Sequence, residues 1–338
     1  MVSTRQIYCQ PHLANGKSQH ISGKKGGEMA EYITDILILG SGPAGCTAGI
    51  YAARAGFSPL IVVGSASSGQ LLSADIIENY PGFDTPISGL ELGEKMQKQA
   101  HNLGVKFVND TIQEVDFASY PFVCSSNLNS FSAKSVIIAT GASTKWLNLK
   151  NEQELIGKGV SSCATCDGYF YRGKDVAVIG GGNVAAKEAL YLAKLANSVT
   201  IIHRRDTLRA DKIEQEKMFK NKKIHFEWDS VVDEFLLKNE PLELTGLRLR
   251  NVKTDELKDL RFDGVFVAVG YTPNTAIFRR YLNLDEKGYI ITEKGCCKTN
   301  IEGIFAAGDV SNPQFHQAIL AAGSGCLAAL QAEQFLTD

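Results

Sequence analysis

Residues 35–45 read Asp35-Ile36-Leu37-Ile38-Leu39-Gly40-Ser41-Gly42-Pro43-Ala44-Gly45. Four apolar residues follow the aspartate without polar alternation, as in a strand buried on both faces of a parallel sheet. The run enters a G-x-G-x-x-G turn, then an alanine-rich helical pattern to about Ala55, then a second apolar run, Pro59–Val63. Strand, glycine turn, helix and strand make a βαβ unit, the context that lifts this motif above a chance match. Gly40 allows the tight turn, Gly42 lets backbone approach a pyrophosphate, and Gly45 lets helix and strand pack closely. The free N–H groups and positive dipole end of such a helix suit phosphates.

The arrangement repeats. Asp175–Ile179 leads into Gly180-Gly181-Gly182-Asn183-Val184-Ala185, a helical pattern to about Ala196 and a strand at Val199–Ile202. Ala185 is an allowed small residue at the packing position. One glycine fingerprint is weak evidence, whereas two, each between strand and helix, predict two dinucleotide sites. An NAD site places an acid about 20 residues past the first glycine to hold the ribose 2′-hydroxyl. This chain has His203-Arg204-Arg205 there, with Arg209 nearby. Arginine forks suit a 2′-phosphate, so the second site reads as NADP-type. The competing reading is a solvated basic face, because Asp206 and Asp211 interleave the arginines. At the matching place of the first site, Val62–Ala66 offers only hydroxyl and backbone groups.

Just before the second fingerprint stands Cys163-Ala164-Thr165-Cys166-Asp167. Two thiols at C-x-x-C spacing can close a small disulfide, and such motifs lower one thiol pKa to give an attacking thiolate. A structural zinc site would need four ligands. The chain has no second C-x-x-C and no H-x₃₋₅-H pair, so no metal is expected. Asp167 is either a proton donor and acceptor for the dithiol or a cap for the next turn. Cys46 and Cys326 read as buried fillers of small-residue helices. A disulfide between the neighbours Cys296 and Cys297 would strain the peptide between them, and Cys9 and Cys124 carry no signal.

The 338 residues suggest about two domains. A 44% hydrophobic and 21% charged composition excludes a disordered chain. The 35 basic and 37 acidic residues leave a formal charge of -2, against a nonspecific nucleic-acid or anionic-membrane binder. The uncharged windows Ile36–Ala53 and Ala55–Ala74 are broken by Gly, Ser or Pro, so no membrane span is expected. With no signal peptide and no secreted cysteine framework, the expected location is cytoplasmic. Residues 1–30 read as a disordered N-terminal extension. Lys24–Glu28 would suit a purine-rich coding run before an alternative start at Met29; a transit peptide, with Arg5 its single arginine, is the rival reading.

From about Glu31 onward the chain resembles the low-molecular-weight, bacterial-type NADPH-dependent thioredoxin reductases. The resemblance rests on Gly40–Gly45, Cys163–Asp167, Gly180–Ala185, His203–Asp206 and a final block from Gly303 through Asp309 and Gln317-Ala318 to Cys326. It implies an α/β fold of two Rossmann-like dinucleotide-binding domains. An NADPH domain, 144–271, would be inserted into a discontinuous FAD domain, 31–143 and 272–338. Ala139–Gly141 and Val269–Pro273 would be the crossing strands and hinges. FAD would contact Gly40, Gly42, Pro43, Ala44, Gly45, Gln70, Asn79, Asp309, Gln317 and Ala318, with Asp309 on the ribityl hydroxyls. NADPH would contact Gly180, Gly182, Asn183, Ala185, His203, Arg204, Arg205 and Arg209. Cys166 would face the flavin and Cys163 would attack thioredoxin, with Asp167 catalytic beside them. The family usually has Arg where this chain has His316, and often an acid where it has Ala66.

The resemblance further implies a homodimer and a rotation of the NADPH domain between two states, with Tyr169 and Phe170 offered to thioredoxin in one of them. The reductase of a peroxide-detoxifying system shares this core but usually carries an extra N-terminal thioredoxin-like region. A non-enzymatic redox sensor would not require two cofactor sites beside a dithiol.

Overall fold

Four parallel strands lie side by side in the order Lys106–Val108, Pro59–Val62, Ala30–Leu39 and Asn129–Ile138. This is a computed structural model, and it describes residues 30–65, 69–74, 76–240 and 242–338. Residues 1–29 of the expected extension, with Met29 and Cys9, and also Ala66 lie outside the described residues, whereas Ala30 already belongs to the first strand rather than to a disordered extension, because it pairs with Asn129. The final half of Asn129–Ile138 also pairs parallel with Ile304–Ala306, which returns from far along the chain. Its first half pairs antiparallel with Phe122–Ser125, which continues to Glu114–Asp116.

The expected two-sided burial of the first strand is observed. Ile36 and Ile38 pack into one core with the helices Pro43–Arg54 and Ala318–Thr337. Leu37 and Leu39 pack on the opposite face with Phe122, Phe131 and Phe278. Burying each such side chain stabilises the fold by about 1.5–3 kcal/mol before entropy is counted. The two helices approach backbone to backbone: a Cβ on Gly325 would lie 2.1 Å from the carbonyl oxygen of Ala44. Among the described residues, Ala318–Thr337 is the one helix long and apolar enough to cross a membrane, and its buried face packs on this sheet and helix.

A second sheet is wholly parallel, in the order Ile224–Glu227, Ser198–Ile202, Asp175–Ile179, Gly264–Val267 and Val160–Ser161. Helix Asn183–Leu192 covers one face together with Met218 of helix Lys212–Lys220. A three-stranded antiparallel ribbon, Ser230–Asn239, Leu242–Asn251 and Leu257–Arg261, covers the other. The fold is thus the two-unit α/β arrangement expected. The two connections between the sheets pair with each other, Tyr271 opposite Thr144 and Pro273 opposite Ala142. The first of these strands is Ala142–Thr144, just beyond the expected Ala139–Gly141.

Candidate active site

Both glycine turns sit where a central parallel strand gives way to a helix. Gly40 donates its N–H to the Val62 carbonyl at 2.8 Å, and a Cβ there would lie 2.3 Å from the Ala139 oxygen. A Cβ on Gly45 would lie 1.9 Å from the Gly40 oxygen, so helix and turn can close only on glycine. Pro43 occupies the first helical position, and Gly42 gives the helix no side-chain cap. The N-terminal N–H groups are left for a ligand.

Asp309 lies in the turn Gly308–Val310, beside Ala44. Burial pushes its carboxyl up to about 7, and it makes no hydrogen bond to the described residues. Gln70 reaches the first crossing strand, donating to the Ala142 carbonyl and accepting from Thr144 Oγ1 at 3.2 Å. Asn79 donates to Gln317 Oε1 at 3.5 Å, and Ala318 begins the C-terminal helix behind that glutamine.

The second turn repeats this construction. Gly180 donates to the Ile202 carbonyl at 3.0 Å, and a Cβ on it would meet that of Ala185 at 3.0 Å. Helix Asn183–Leu192 starts at Gly182 without a side-chain cap, and open space surrounds Gly182 on its Cβ side. His203 behaves differently from its neighbours. Its ring lies beneath Gly181, where an added Cβ would fall 2.3 Å from it, and Nε2 meets the Thr207 carbonyl at 3.1 Å. Burial lowers its pKa. His203 is therefore a floor under the turn, while Arg204, Arg205 and Arg209 are exposed.

The interleaved acids are engaged elsewhere. Asp206 pairs with Lys253 at 3.4 Å, and Asp211 exchanges hydrogen bonds with Asn183. Among the described residues no carboxylate forms an ion pair with the three arginines. The Arg209 backbone N–H donates to the Gly181 carbonyl at 2.7 Å, tying this basic cluster to the turn.

Cys163 and Cys166 form a disulfide across one helical turn, with Cα atoms 5.3 Å apart. Asp167 is not a side-chain cap: its Oδ2 accepts from Ser161 Oγ at 2.6 Å, and Ser161 Oγ in turn accepts from the Cys163 N–H at 3.0 Å. The disulfide lies against the first unit. Gln317 Nε2 donates to Thr165 Oγ1 at 2.9 Å and stands 3.8 and 3.7 Å from the two sulfurs. Tyr169 is 59% exposed, whereas Phe170 is half-buried, so only one of the two rings is fully offered to solvent.

Three residues here were not singled out from sequence: Ser161, Glu188 and Tyr271. The Tyr271 hydroxyl donates to the Ser162 carbonyl at 2.8 Å, and its ring meets His316 at 4.2 Å between centroids. His316 Nε2 meets the Asn312 carbonyl at 2.9 Å, and burial lowers its pKa. None of these pairs has a sequence spacing that signals it. Elsewhere Cys46 and Cys124 are buried with thiols pushed up to about 12. Cys326 is only half-buried, a departure from the filler reading, because the buried face of its helix runs through Ala322, Gly325 and Ala329 beside it. Cys296 and Cys297 are both free thiols. Among the described residues no His, Cys, Asp and Glu cluster could hold a metal.

The sequence signature of pyridine nucleotide-disulphide oxidoreductases matches residues 34–325. A thioredoxin reductase of Rickettsia conorii is 49% identical over 304 residues, covering 90% of this chain and 98% of that protein. A relative from Pseudomonas fluorescens named glucosaminate ammonia-lyase is 45% identical over 89% of this chain and 95% of its own, so identity alone does not separate the two names. Among solved structures, thioredoxin reductase from Streptococcus pyogenes superposes with a TM-score of 0.85 at 41% identity, covering 90% of this chain and 98% of its own. The Lactococcus lactis thioredoxin reductase in its FR conformation, at 40% identity and with 90% and 99% covered, reaches only 0.60. Similar identity with a lower whole-chain score indicates a different overall conformation rather than a different fold. By its signature, its fold and its relatives, the chain belongs to the pyridine nucleotide-disulphide oxidoreductase family and groups there with the thioredoxin reductases.

Proposed function

We propose that this protein is an NADPH-dependent thioredoxin-disulfide reductase that uses FAD and the Cys163–Cys166 pair. The observation that carries the reading is the Cys163–Cys166 disulfide itself, lying against Gln317 at the start of the C-terminal helix. The residues present fit both cofactors. Gly40, Gly42, Pro43, Ala44 and Gly45 would hold the FAD pyrophosphate, and Asp309 would accept the ribityl hydroxyls that its carboxyl lacks in the protein. Gln70, Asn79, Gln317 and Ala318 would line the flavin. Gly180, Gly182, Asn183 and Ala185 would hold the NADPH pyrophosphate, and Arg204, Arg205 and Arg209 its 2′-phosphate. His203 would support that turn from below.

Bound flavin supplies the route by which an electron pair from a reduced nicotinamide reaches a disulfide. The chain's own work lies around that route. Cys166 would face bound flavin, Cys163 would attack the disulfide of thioredoxin, and Asp167, oriented by Ser161, would move the proton. Cys163 cannot serve a protein substrate while its turn is packed on Gln317. The unit carrying residues 144–271 therefore rotates about the segments 139–143 and 269–273, as the lower superposition on the FR conformation supports. In the rotated state Tyr169 and Phe170 flank the docked substrate. The protein acts as a cytoplasmic homodimer, without nucleic-acid or membrane partners. Exposed Tyr51, Leu320 and Leu330, on the paired helices of the first unit, suit contact with a second copy.

The test is turnover of NADPH with a thioredoxin and a disulfide dye, repeated with NADH. Thioredoxin-dependent NADPH oxidation is expected. A protein that binds no flavin, or oxidises NADPH without regard to thioredoxin, would overturn the reading.

A further inference from the structure

Helix Asn183–Leu192 carries a carboxyl that the proposed chemistry leaves unused. Glu188 Oε1 lies 3.4 Å from the backbone nitrogen of Ala164, inside the turn that joins the two cysteines. Its Oε2 is buried and has no hydrogen-bond partner among the described residues. From the dithiol turn Asp167 acts on it, and Glu188 in turn acts on Tyr271 of the second crossing strand. Tyr271 cannot neutralise it, since its hydroxyl is committed to the Ser162 carbonyl and burial raises its pKa. On its own helix Lys187 is exposed. No lysine, arginine or histidine among the described residues forms an ion pair with it. A buried charge without a partner is avoided by keeping the proton. Asp167, by contrast, has the Ser161 hydroxyl.

We propose that Glu188 is a positioning residue for the dithiol, kept protonated against the Ala164 amide so that no second negative charge opposes Asp167 and the Cys163 thiolate. This rests on the reductase reading of the dithiol. Two carboxyls beside one reacting group are separated by their surroundings into a proton holder and a charged partner. Burial pushes the Glu188 carboxyl up to about 8, with Asp167 adding to the rise. Below that pH the turn carries one carboxylate; above it, two. The second charge then raises the proton affinity of Cys163 and opposes its ionisation.

The experiment uses full-length protein reduced with dithiothreitol, freed of reductant, and alkylated with iodoacetamide, with Cys163 followed by peptide mass spectrometry across pH. No thioredoxin or nucleotide is added, so the result stands apart from the outcome of the turnover assay. The unsubstituted protein should show a break in its alkylation profile near the Glu188 ionisation. Glu188→Gln should remove the break and alkylate roughly three- to tenfold faster on its alkaline side, the effect of about half to one unit in thiol pKa. Glu188→Ala should lose the same break, which keeps the test valid if the amide variant does not fold. In the unsubstituted protein, infrared spectroscopy should show a protonated carboxyl at neutral pH that Glu188→Gln lacks. A break that survives in either variant, or an ionised Glu188 at neutral pH, would overturn the proposal.

Discussion

Replacing Arg204 and Arg205 by alanine tests the coenzyme assignment on the features that distinguish it from a solvated basic face. In the structure Asp206 is drawn away to Lys253, which also reaches Asp229 at 2.9 Å, and Asp211 is held by Asn183. The arginines are exposed at the end of strand Ser198–Ile202, next to a turn whose floor is His203. Their charge is therefore available to a ligand rather than spent within the protein. A hydrogen bond to a charged group contributes about 1.5–3 kcal/mol. At an exposed site the lower end applies, which is about tenfold in affinity for each arginine. The double variant should raise KM for NADPH by about a hundredfold, and NADH, which lacks the 2′-phosphate, should change by less than about threefold. Steady-state turnover with each coenzyme at fixed ionic strength reads both numbers, and titration of flavin reduction separates binding from later steps. Equal losses for the two coenzymes would mean that the substitutions damaged the turn, and no loss for NADPH would return the arginines to the solvated face.

Cys163→Ser and Cys166→Ser should each retain FAD and its reduction by NADPH yet abolish turnover with thioredoxin, as followed by stopped-flow absorbance and the coupled dye assay. Substantial thioredoxin turnover in either variant would displace the pair from the redox role. Gly325→Ala should destabilise the protein by about 1–3 kcal/mol in urea unfolding, because its Cβ would lie 2.1 Å from the Ala44 oxygen, while Gly323→Ala, with open space around its Cβ, should not. Asp309 has its carboxyl raised to about 7 from an ordinary 3.8. The folded flavin-free chain binds the extra proton between those values, and its stability falls as pH rises through them. Asp309→Asn should therefore stabilise the flavin-free protein at about pH 8 by at most about 4 kcal/mol, and hardly at about pH 4, while weakening flavin retention. A crosslink that locks the two units in the arrangement seen here should stop NADPH-driven flavin reduction but spare exchange between flavin and dithiol; full turnover in a verified crosslinked sample would sink the rotation.

What could be read from the sequence was what a short stretch of chain determines by itself. The run Ile36–Leu39 is apolar throughout because both faces of its strand are covered, so its pattern reports its surroundings. Gly40 and Gly45 are forced by backbone contacts within or beside the same βαβ unit, which is why a motif can carry them. Pairings between distant segments leave no such trace. Nothing near Ile304 says that it will lie beside Val136, and nothing near Glu188 says that it will reach Ala164. The tripeptide His203-Arg204-Arg205 marks the boundary between the two cases. Its composition pointed to a basic coenzyme site, but which of the three side chains turns inward depends on the room beneath Gly181, where a Cβ would already strike the histidine ring. Imidazole can fill that room once it is neutral, and burial keeps it so. A guanidinium could not shed its charge to follow. The division of labour within the tripeptide thus follows from the chemistry of its side chains, but only once the shape of the turn above them is known.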